Sequence, residues 1–263
     1  MLLENKNAII YGAGGGIGGG VARTFAREGA RVFLAGRTRE PLETVAADIA
    51  ANGGSADVAE VDALDERAVD EHARDVAWRA GSIDVSFNLI SRGDVQGIPL
   101  VDMAAADFAR AVTTGLTSQF LTARAAARRM TEQGSGVILS LTSGSARGSS
   151  PMMGNTGPAD AAVEAFMRYL AAEVGPSGVR VLGLYTAGVP ETLTPEKLAS
   201  VNSAMELDAA GVERLVEGLA QMTMLRRSPR LAEVAEVAAF LASDRASAMT
   251  ATIVNVTCGL VPG

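Results

Sequence analysis

Apolar residues along the chain form short β-rich runs, separated by longer segments in which apolar positions recur three and four residues apart. The short runs predict strands and the longer segments predict helices. The predicted strands are 8–11, 30–35, 56–61, 83–90, 137–141, 179–185 and 252–256. The predicted helices are 21–28, 40–51, 66–80, 107–131, 158–174 and 233–242, with further helical pieces around Leu198 and from Val212 to Met222. This alternation predicts an α/β fold, with a doubly wound parallel sheet of about seven strands and helices on both faces.

Length and composition indicate a single domain over residues 1–263. A chain of 263 residues suits one α/β unit with one large core. Hydrophobic residues make up 48% of the chain and aromatic residues only 4%, which suits small aliphatic helices packed closely on a parallel sheet. We find no internal repeat and no linker. The stretch 190–228 does not follow the strand–helix alternation.

Charge and cysteine content exclude several classes of function. The formal net charge of −7 and the absence of a basic run argue against nucleic-acid binding. No apolar run reaches membrane-spanning length, and no metal-binding cluster is found. The single cysteine, Cys258, cannot form an intrachain disulfide, and residues 1–6 are too short and polar for a signal peptide. We therefore expect a cytoplasmic protein without a membrane partner.

A glycine-rich turn follows the first predicted strand and leads into the first predicted helix. Gly12 would let the chain reverse, Gly16 would let the backbone approach a diphosphate, and Gly18 would let the helix pack against the strand. The start of the helix offers unpaired N–H groups and a positive dipole end to phosphates. The sequence thus predicts a Rossmann-like dinucleotide site that includes Gly12, Gly15, Gly16, Ile17 and Gly18.

The spacing G-x-x-x-G-x-G resembles that of the short-chain dehydrogenase/reductase family. The family's usual form is T-G-x-x-x-G-I-G, and here Tyr11 replaces the threonine. The resemblance extends over nearly the whole chain. It implies an oxidoreductase that uses a nicotinamide cofactor, and it implies that the stretch 190–228 is the substrate loop.

The resemblance also implies which cofactor is preferred. Members that prefer NAD usually carry an acidic residue at the position of Gly36, whereas this chain has Gly36 followed by Arg37. An arginine there offers a planar set of donors to a 2′-phosphate. We therefore expect NADP(H).

Further cofactor contacts are expected at the ends of later strands. Asp62 stands where the family binds adenine, and Asn88 is the one residue retained from an Asn-Asn-Ala-Gly motif. Gly188 and Thr192 match a later Pro-Gly and threonine pattern, in which Ala187 replaces the proline. The match is good near the phosphates and poorer towards the nicotinamide.

The residues expected to carry the chemistry depart from the family pattern. Ser143 matches the serine that orients the substrate carbonyl, but Thr156 stands at the position of the proton-donating tyrosine. Asp160 stands at the position of the lysine that lowers the pKa of that tyrosine, and Gly115 at that of a helical asparagine. Neither Thr156 nor Asp160 can perform the replaced role.

An alternative register resembles the enoyl-acyl-carrier-protein reductase branch, in which the tyrosine lies seven residues before the lysine. That position is Met153, so this register also lacks the tyrosine. Among other candidates, only Tyr185, which ends the sixth strand at the edge where ligands bind, is placed to face the pocket, and it can equally be a large residue capping that strand. The single histidine, His72, is expected at the surface of the third helix.

Two functions from different classes remain open at this stage. The first is an NADP(H)-binding oxidoreductase with an atypical, impaired catalytic site, its proton relayed through Ser143 or Asp160. The second is a non-redox enzyme, a cofactor sensor or a partner subunit built on the same fold. The loop 190–228 suggests a small-molecule ligand of partly apolar character. The family and the alanine-rich helices 107–131 and 158–174 suggest a homo-oligomer, a tetramer or a dimer.

Overall fold

A computed structural model describes residues 1–148 and 150–262 of the chain. Its strands and helices alternate in the predicted order. The strands are β1 Asn7–Tyr11, β2 Arg31–Gly36, β3 Ser55–Glu60, β4 Val85–Asn88, β5 Gly136–Ser143, β6 Val179–Thr186 and β7 Thr252–Val256. The helices are α1 Gly16–Arg27, α2 Arg39–Ala51, α3 Glu66–Ala80, α4 Ala105–Gln133, α5 Thr156–Val174, α6 Pro195–Val201, α7 Ala209–Met222 and α8 Leu231–Ala242.

The seven strands form one parallel sheet in the order β3-β2-β1-β4-β5-β6-β7. Strand order reverses between β1 and β4, because β2 and β3 extend from one side of β1 and the later strands from the other. In such sheets, ligands bind in the crevice at the carboxyl ends of the strands flanking this reversal. The predicted Rossmann-like α/β fold is confirmed.

Two apolar layers bury the two faces of the sheet. Alternate residues of β1 point into opposite layers: Ala8 and Ile10 join the layer under α1, α2 and α8, while Ile9 joins the layer under α3, α4 and α5. The central strands are therefore apolar on both faces, which explains their continuous hydrophobic runs. None of the helices described in the structure is both long enough and apolar enough to cross a membrane.

The structure corrects the predicted start of α1. The sequence predicts a helix from Val21, but α1 begins at Gly16, with Gly15 as its N-cap residue. The glycines continue into the helix because close packing requires them. A Cβ on Gly18 would collide with the carbonyl of Gly12, and a Cβ on Gly20 would lie 2.7 Å from the side chain of Leu231.

The chain between β6 and α8 contains α6 and α7, as the helical pieces in the loop 190–228 predict. The loop after β4 meets the end of α6, since the N–H of Gln96 donates to the carbonyl of Val201 at 2.7 Å. It also meets the start of α5, where the N–H of Val95 donates to the Asn155 side chain at 2.9 Å. These contacts hold the loop after β4 against α6 and the start of α5.

Candidate active site

The glycine turn between β1 and α1 lies at the reversal of strand order. Gly12 has a φ of +79°, which strongly favours glycine, and a Cβ there would lie 2.6 Å from the carbonyl oxygen of Leu89, just after β4. Gly15 donates its N–H to the carbonyl of Gly12 at 3.0 Å and closes the turn. The turn therefore lies too close to the backbone of Leu89 for residue 12 to carry a side chain.

The first turn of α1 presents free backbone donors at this edge. Among the described residues, the N–H groups of Gly16, Ile17 and Gly18 donate to no acceptor. No acidic side chain lies in this first turn. Thr192 packs its side chain over Gly16, where an added Cβ would lie 2.9 Å from the threonine methyl group. Unpaired donors and the positive end of the helix dipole suit a phosphate group.

Residues predicted to bind adenosine lie at the ends of β2 and β3. Arg37 directly follows β2, is exposed, and forms no ion pair within the described part of the chain. Asp62 is also exposed, and one of its carboxylate oxygens accepts the N–H of Leu64 at 3.0 Å. Both side chains are reachable from solvent.

Asn88 and Gly188 occupy more enclosed positions. The amide of Asn88 donates to the hydroxyl of Thr122 at 3.1 Å, and its oxygen accepts the N–H of Ile90 at 3.1 Å. Asn88 is 7% exposed and holds the turn after β4 through these bonds. Gly188 is half-buried after β6, where an added Cβ would lie 3.0 Å from Leu219 of α7.

Ser143 and Asp160 meet in a buried polar network. The hydroxyl of Ser143, at the end of β5, donates to Oδ2 of Asp160 at 2.6 Å, and the Ser143 N–H donates to the same oxygen at 3.1 Å. The other oxygen of Asp160 accepts from Nη1 of Arg92 at 2.5 Å. Asp160 is fully buried and the side chain of Arg92 is 14% exposed, so this is an ion pair largely withdrawn from water.

Arg92 comes from the loop after β4 and was not identified from the sequence. Its Nε donates to Asp94 at 3.0 Å, which fixes the side chain between two carboxylates. It passes against Gly115 of α4, where a Cβ would lie only 2.9 Å from its Cδ. The glycine at the family's asparagine position therefore leaves room for the arginine.

Burial and charge act on this pair in opposite directions. Burial raises the pKa of the Asp160 carboxyl above its usual value, and the Arg92 guanidinium and the Ser143 hydrogen bonds oppose that rise. Burial alone would lower the pKa of Arg92, but the carboxylates of Asp160 and Asp94 raise it overall. Because the guanidinium stays protonated, a neutral Asp160 would leave Asp94 as the remaining carboxylate partner of Arg92.

Thr156 is the first residue of α5, one turn before Asp160. Its hydroxyl accepts from the side-chain amide of Gln96 at 3.1 Å, and its N–H donates to the carbonyl of Met153 at 3.2 Å. Neither Thr156 nor Met153 provides an acid at this position, as the sequence predicts.

A second buried acid lies one turn further along α5. Glu164 accepts from the hydroxyl of Thr142 at 3.2 Å and from Arg147 at 3.4 Å. The Arg147 guanidinium lies 5.4 Å from the ring centre of Tyr185, which is 1% exposed. Tyr185 thus packs beneath an arginine at the strand end.

The expected surface position of His72 is wrong. His72 is 8% exposed and lies on the sheet-facing side of α3 with Val69, Ala73 and Val76. Its Nδ1 is 3.5 Å from the hydroxyl of Tyr11. Burial lowers the pKa of His72 to about 4, so the ring is neutral at ordinary pH.

Comparison with known proteins identifies what this chain is similar to. Residues 12–261 match a family model described as enoyl-(acyl carrier protein) reductase. A 7alpha-hydroxysteroid dehydrogenase of Escherichia coli is 30% identical over 259 residues, covering 98% of this chain and 95% of that protein.

Solved structures of oxidoreductases are also similar to nearly the whole chain. A 7 alpha-hydroxysteroid dehydrogenase complexed with NADH and 7-oxo glycochenodeoxycholic acid has a TM-score of 0.83 at 30% identity, covering 98% of this chain and 94% of that one. An actinorhodin polyketide ketoreductase variant with NADPH has a TM-score of 0.86 at 26% identity, covering 97% of both chains.

Proposed function

The chain belongs to the short-chain dehydrogenase/reductase family of oxidoreductases, and we propose that it is an NADP(H)-dependent member with an altered route for the substrate proton. The observation that carries this proposal is the buried Ser143–Asp160–Arg92 network at the carboxyl end of β5. The network keeps the family's serine, has Asp160 at the position of its lysine, and adds Arg92 from the loop after β4, while Thr156 stands at the position of its tyrosine.

The residues of the glycine turn fit a dinucleotide. The free N–H groups of Gly16, Ile17 and Gly18 would hold the diphosphate, and Thr192 would close over it. Asp62 would bind the adenine. When bound, the nicotinamide supplies or accepts a hydride, chemistry that belongs to the cofactor and needs no tyrosine.

Arg37 supports the preference for NADP(H). It is exposed at the end of β2, no acid stands at Gly36, and no described carboxylate pairs with its guanidinium. A 2′-phosphate would therefore meet an uncompensated cation rather than a repelling acid.

Fluorescence titration with NADPH and NADH tests this proposal. We expect NADPH to bind more tightly, and we expect Arg37→Ala to remove that preference while leaving NADH binding nearly unchanged. A loss of one charged hydrogen-bonding group corresponds to about 1.5–3 kcal/mol, or roughly 10- to 150-fold in affinity. Equal binding of the two cofactors would reject the NADP(H) assignment, and no binding of either would reject the oxidoreductase proposal.

Ser143 and Asp160 provide the proposed proton route. Ser143 Oγ is half-buried at the strand end and is bonded directly to Asp160 Oδ2, so a proton can pass between them. Without a positioned tyrosine, we propose that reduction of simple ketones is impaired. The substrate is proposed to be a small molecule of partly apolar character, since Met222, Met224 and Leu225 lie exposed in the loop 190–228.

We also propose a homotetramer that forms through α4 and α5. Phe108 and Phe120 of α4 and Tyr169 of α5 lie exposed, with Tyr169 at 76%, and the rings of Phe120 and Phe166 pack edge to face at 5.9 Å. Exposed aromatic groups on two adjacent helices are costly to leave in water.

Light scattering at micromolar concentration is expected to give a tetramer, or a dimer if only one interface forms. Tyr169→Glu combined with Phe120→Glu should shift the chain towards the monomer, because each carboxylate would be desolvated in the interface. Trp78→Glu is a matched control, since Trp78 is exposed on α3. A native chain that is monomeric would contradict the proposal.

A further inference from the structure

The groups around the Ser143 hydroxyl decide where it donates and where it accepts a hydrogen bond. An ionised carboxylate can only accept hydrogen bonds, so the single Ser143 proton is directed to Oδ2 of Asp160 at 2.6 Å. The same Oγ accepts the N–H of Ser145 at 3.2 Å. One lone pair of Ser143 remains, and it can accept a further hydrogen bond but cannot donate one.

Arg92 stabilises the ionised form of the Asp160 carboxyl group. Its Nη1 contacts the Asp160 oxygen that Ser143 does not use, so the guanidinium fixes both the charge and the orientation of the carboxylate. The arginine reaches Asp160 only because Gly115 has no side chain. The guanidinium contacts the two carboxylates through different nitrogens, since Nη1 donates to Asp160 and Nε donates to Asp94.

We propose that Arg92 is a positioning residue that holds Asp160 ionised and turned towards Ser143, and that Ser143 consequently binds a hydroxyl donor, a secondary alcohol, in preference to the corresponding ketone. The proposal rests on the proposed function, because it concerns the direction in which that site works. It differs from the role that the family resemblance assigns to Ser143, which is donation to a carbonyl oxygen.

The corresponding reaction balances. The alcohol O–H proton passes to Oγ of Ser143 while the proton of Ser143 passes to Oδ2 of Asp160. A bound oxidised nicotinamide dinucleotide would accept the hydrogen of the alcohol C–H bond with its electron pair as hydride, and the C–O bond would become a carbonyl. After the carbonyl product leaves, Asp160 returns the proton to Oγ of the half-buried Ser143, and Ser143 releases its own proton to water. In the reverse direction Asp160 must first be protonated, so ketone reduction is favoured at lower pH.

The charged groups around Asp160 come from three segments: the loop after β4, α5 itself, and the turn after β5 that carries Arg147. The loop after β4 provides Arg92 and its second partner Asp94, and α5 itself provides Glu164 one turn away, paired with Arg147. α4 faces Arg92 with the uncharged Gly115. Arg92 is therefore the cation in direct contact with Asp160. Of the charged groups named here, its removal should change the pKa of the Asp160 carboxyl most.

The first test follows the Asp160 carboxyl by carbon-13 NMR in the full chain without cofactor. The native carboxyl should be ionised at neutral pH. Arg92→Gln should move its titration upward by about 1–3 pH units, and Arg92→Lys should restore most of that change because it keeps the charge. A protonated Asp160 at neutral pH, or an unchanged titration in Arg92→Gln, would overturn the proposal.

Gly115→Ala provides a second variant in case Arg92→Gln fails to fold. The new methyl group would push against Cδ of Arg92 and weaken its contact with Asp160, although both charges remain. The Asp160 titration should move upward here as well. Gly218→Ala in α7 is the matched control, because a Cβ there meets nothing within 4 Å. An equal titration in both glycine variants would contradict the role of Gly115.

The second test compares cyclohexanol with cyclohexanone, using the amide signal of Ser143 to measure binding to the native chain. Above the titration of Asp160, the alcohol should bind about 2- to 10-fold more tightly, the value of one hydrogen bond. Ser143→Ala should make the two affinities equal. Equal affinities in the native chain, binding of neither probe, or preference for the ketone would overturn the proposal. Since neither test uses cofactor, failure of NADPH binding would reject the proposed function separately.

Discussion

Arg92→Met is expected to lower the free energy of unfolding by about 3 kcal/mol, because it leaves the fully buried Asp160 carboxylate without its counter-charge. This value is the lower end of the range for the loss of stability when one partner of a buried ion pair is removed, because Arg92 keeps some contact with solvent. Urea denaturation of the two proteins at neutral pH measures the difference. Methionine fills much of the space along the arginine stem, so the loss reports chiefly the charge.

The loss should depend on pH. Asp160 binds its proton more tightly in the folded than in the unfolded chain, where its pKa has the usual value of 3.8. Its contribution to stability is therefore greatest at acid pH and falls as the pH rises from that value through the raised folded pKa. Arg92→Met raises the folded pKa further, so its deficit should be smaller near pH 5 than near pH 8.

Arg67→Met is the control for this measurement. Arg67 pairs with Glu71 one turn along α3, and both side chains are more than half exposed. Pairs of that kind contribute about 0.3–0.5 kcal/mol. If Arg92→Met cost no more than Arg67→Met, the buried pair would have no special role in stability.

The fold was predictable because local patterns agree with it throughout. The central strands of the sheet are buried on both faces and read as apolar runs, and the glycine spacing marks a turn that lies directly against neighbouring backbone. The error at α1 arose because glycine favours turns when read alone. At Gly18 and Gly20 the need for close packing outweighs that preference.

The candidate site was only partly predictable. Ser143 and Asp160 follow from the family's spacing, but Arg92 lies 68 residues from Asp160 in a polar loop without periodicity. The available signal was indirect: Gly115 and Asp160 both depart from the family pattern, and together they create the space and the charge that an arginine fills. His72 is different, since its spacing from Val69, Ala73 and Val76 already placed it on the buried face of α3.

The position of Arg92 affects any attempt to restore the tyrosine and lysine that the family has at positions 156 and 160. The double change Thr156→Tyr with Asp160→Lys would place an ammonium group against the Arg92 guanidinium and remove its buried partner. Two adjacent cations that share Asp94 as their one described carboxylate partner should destabilise the chain and displace the new side chains. We expect this double variant to show little gain in ketone reduction.

Adding Arg92→Ala to that pair of changes is expected to raise ketone reduction with NADPH by about 10²–10⁴-fold over the unmodified protein, the usual contribution of a positioned general acid. Positions 156 and 160 share one face of α5, so the lysine can lower the pKa of the tyrosine beside Ser143. Initial rates on a panel of simple ketones measure the effect. The control combines Thr156→Phe with Asp160→Lys and Arg92→Ala. It supplies the ring without the hydroxyl and should give no gain in ketone reduction. Rapid ketone turnover by the unmodified protein would show instead that Ser143, Asp160 and Arg92 already form a competent acid, and that the altered residues are a second solution to proton delivery.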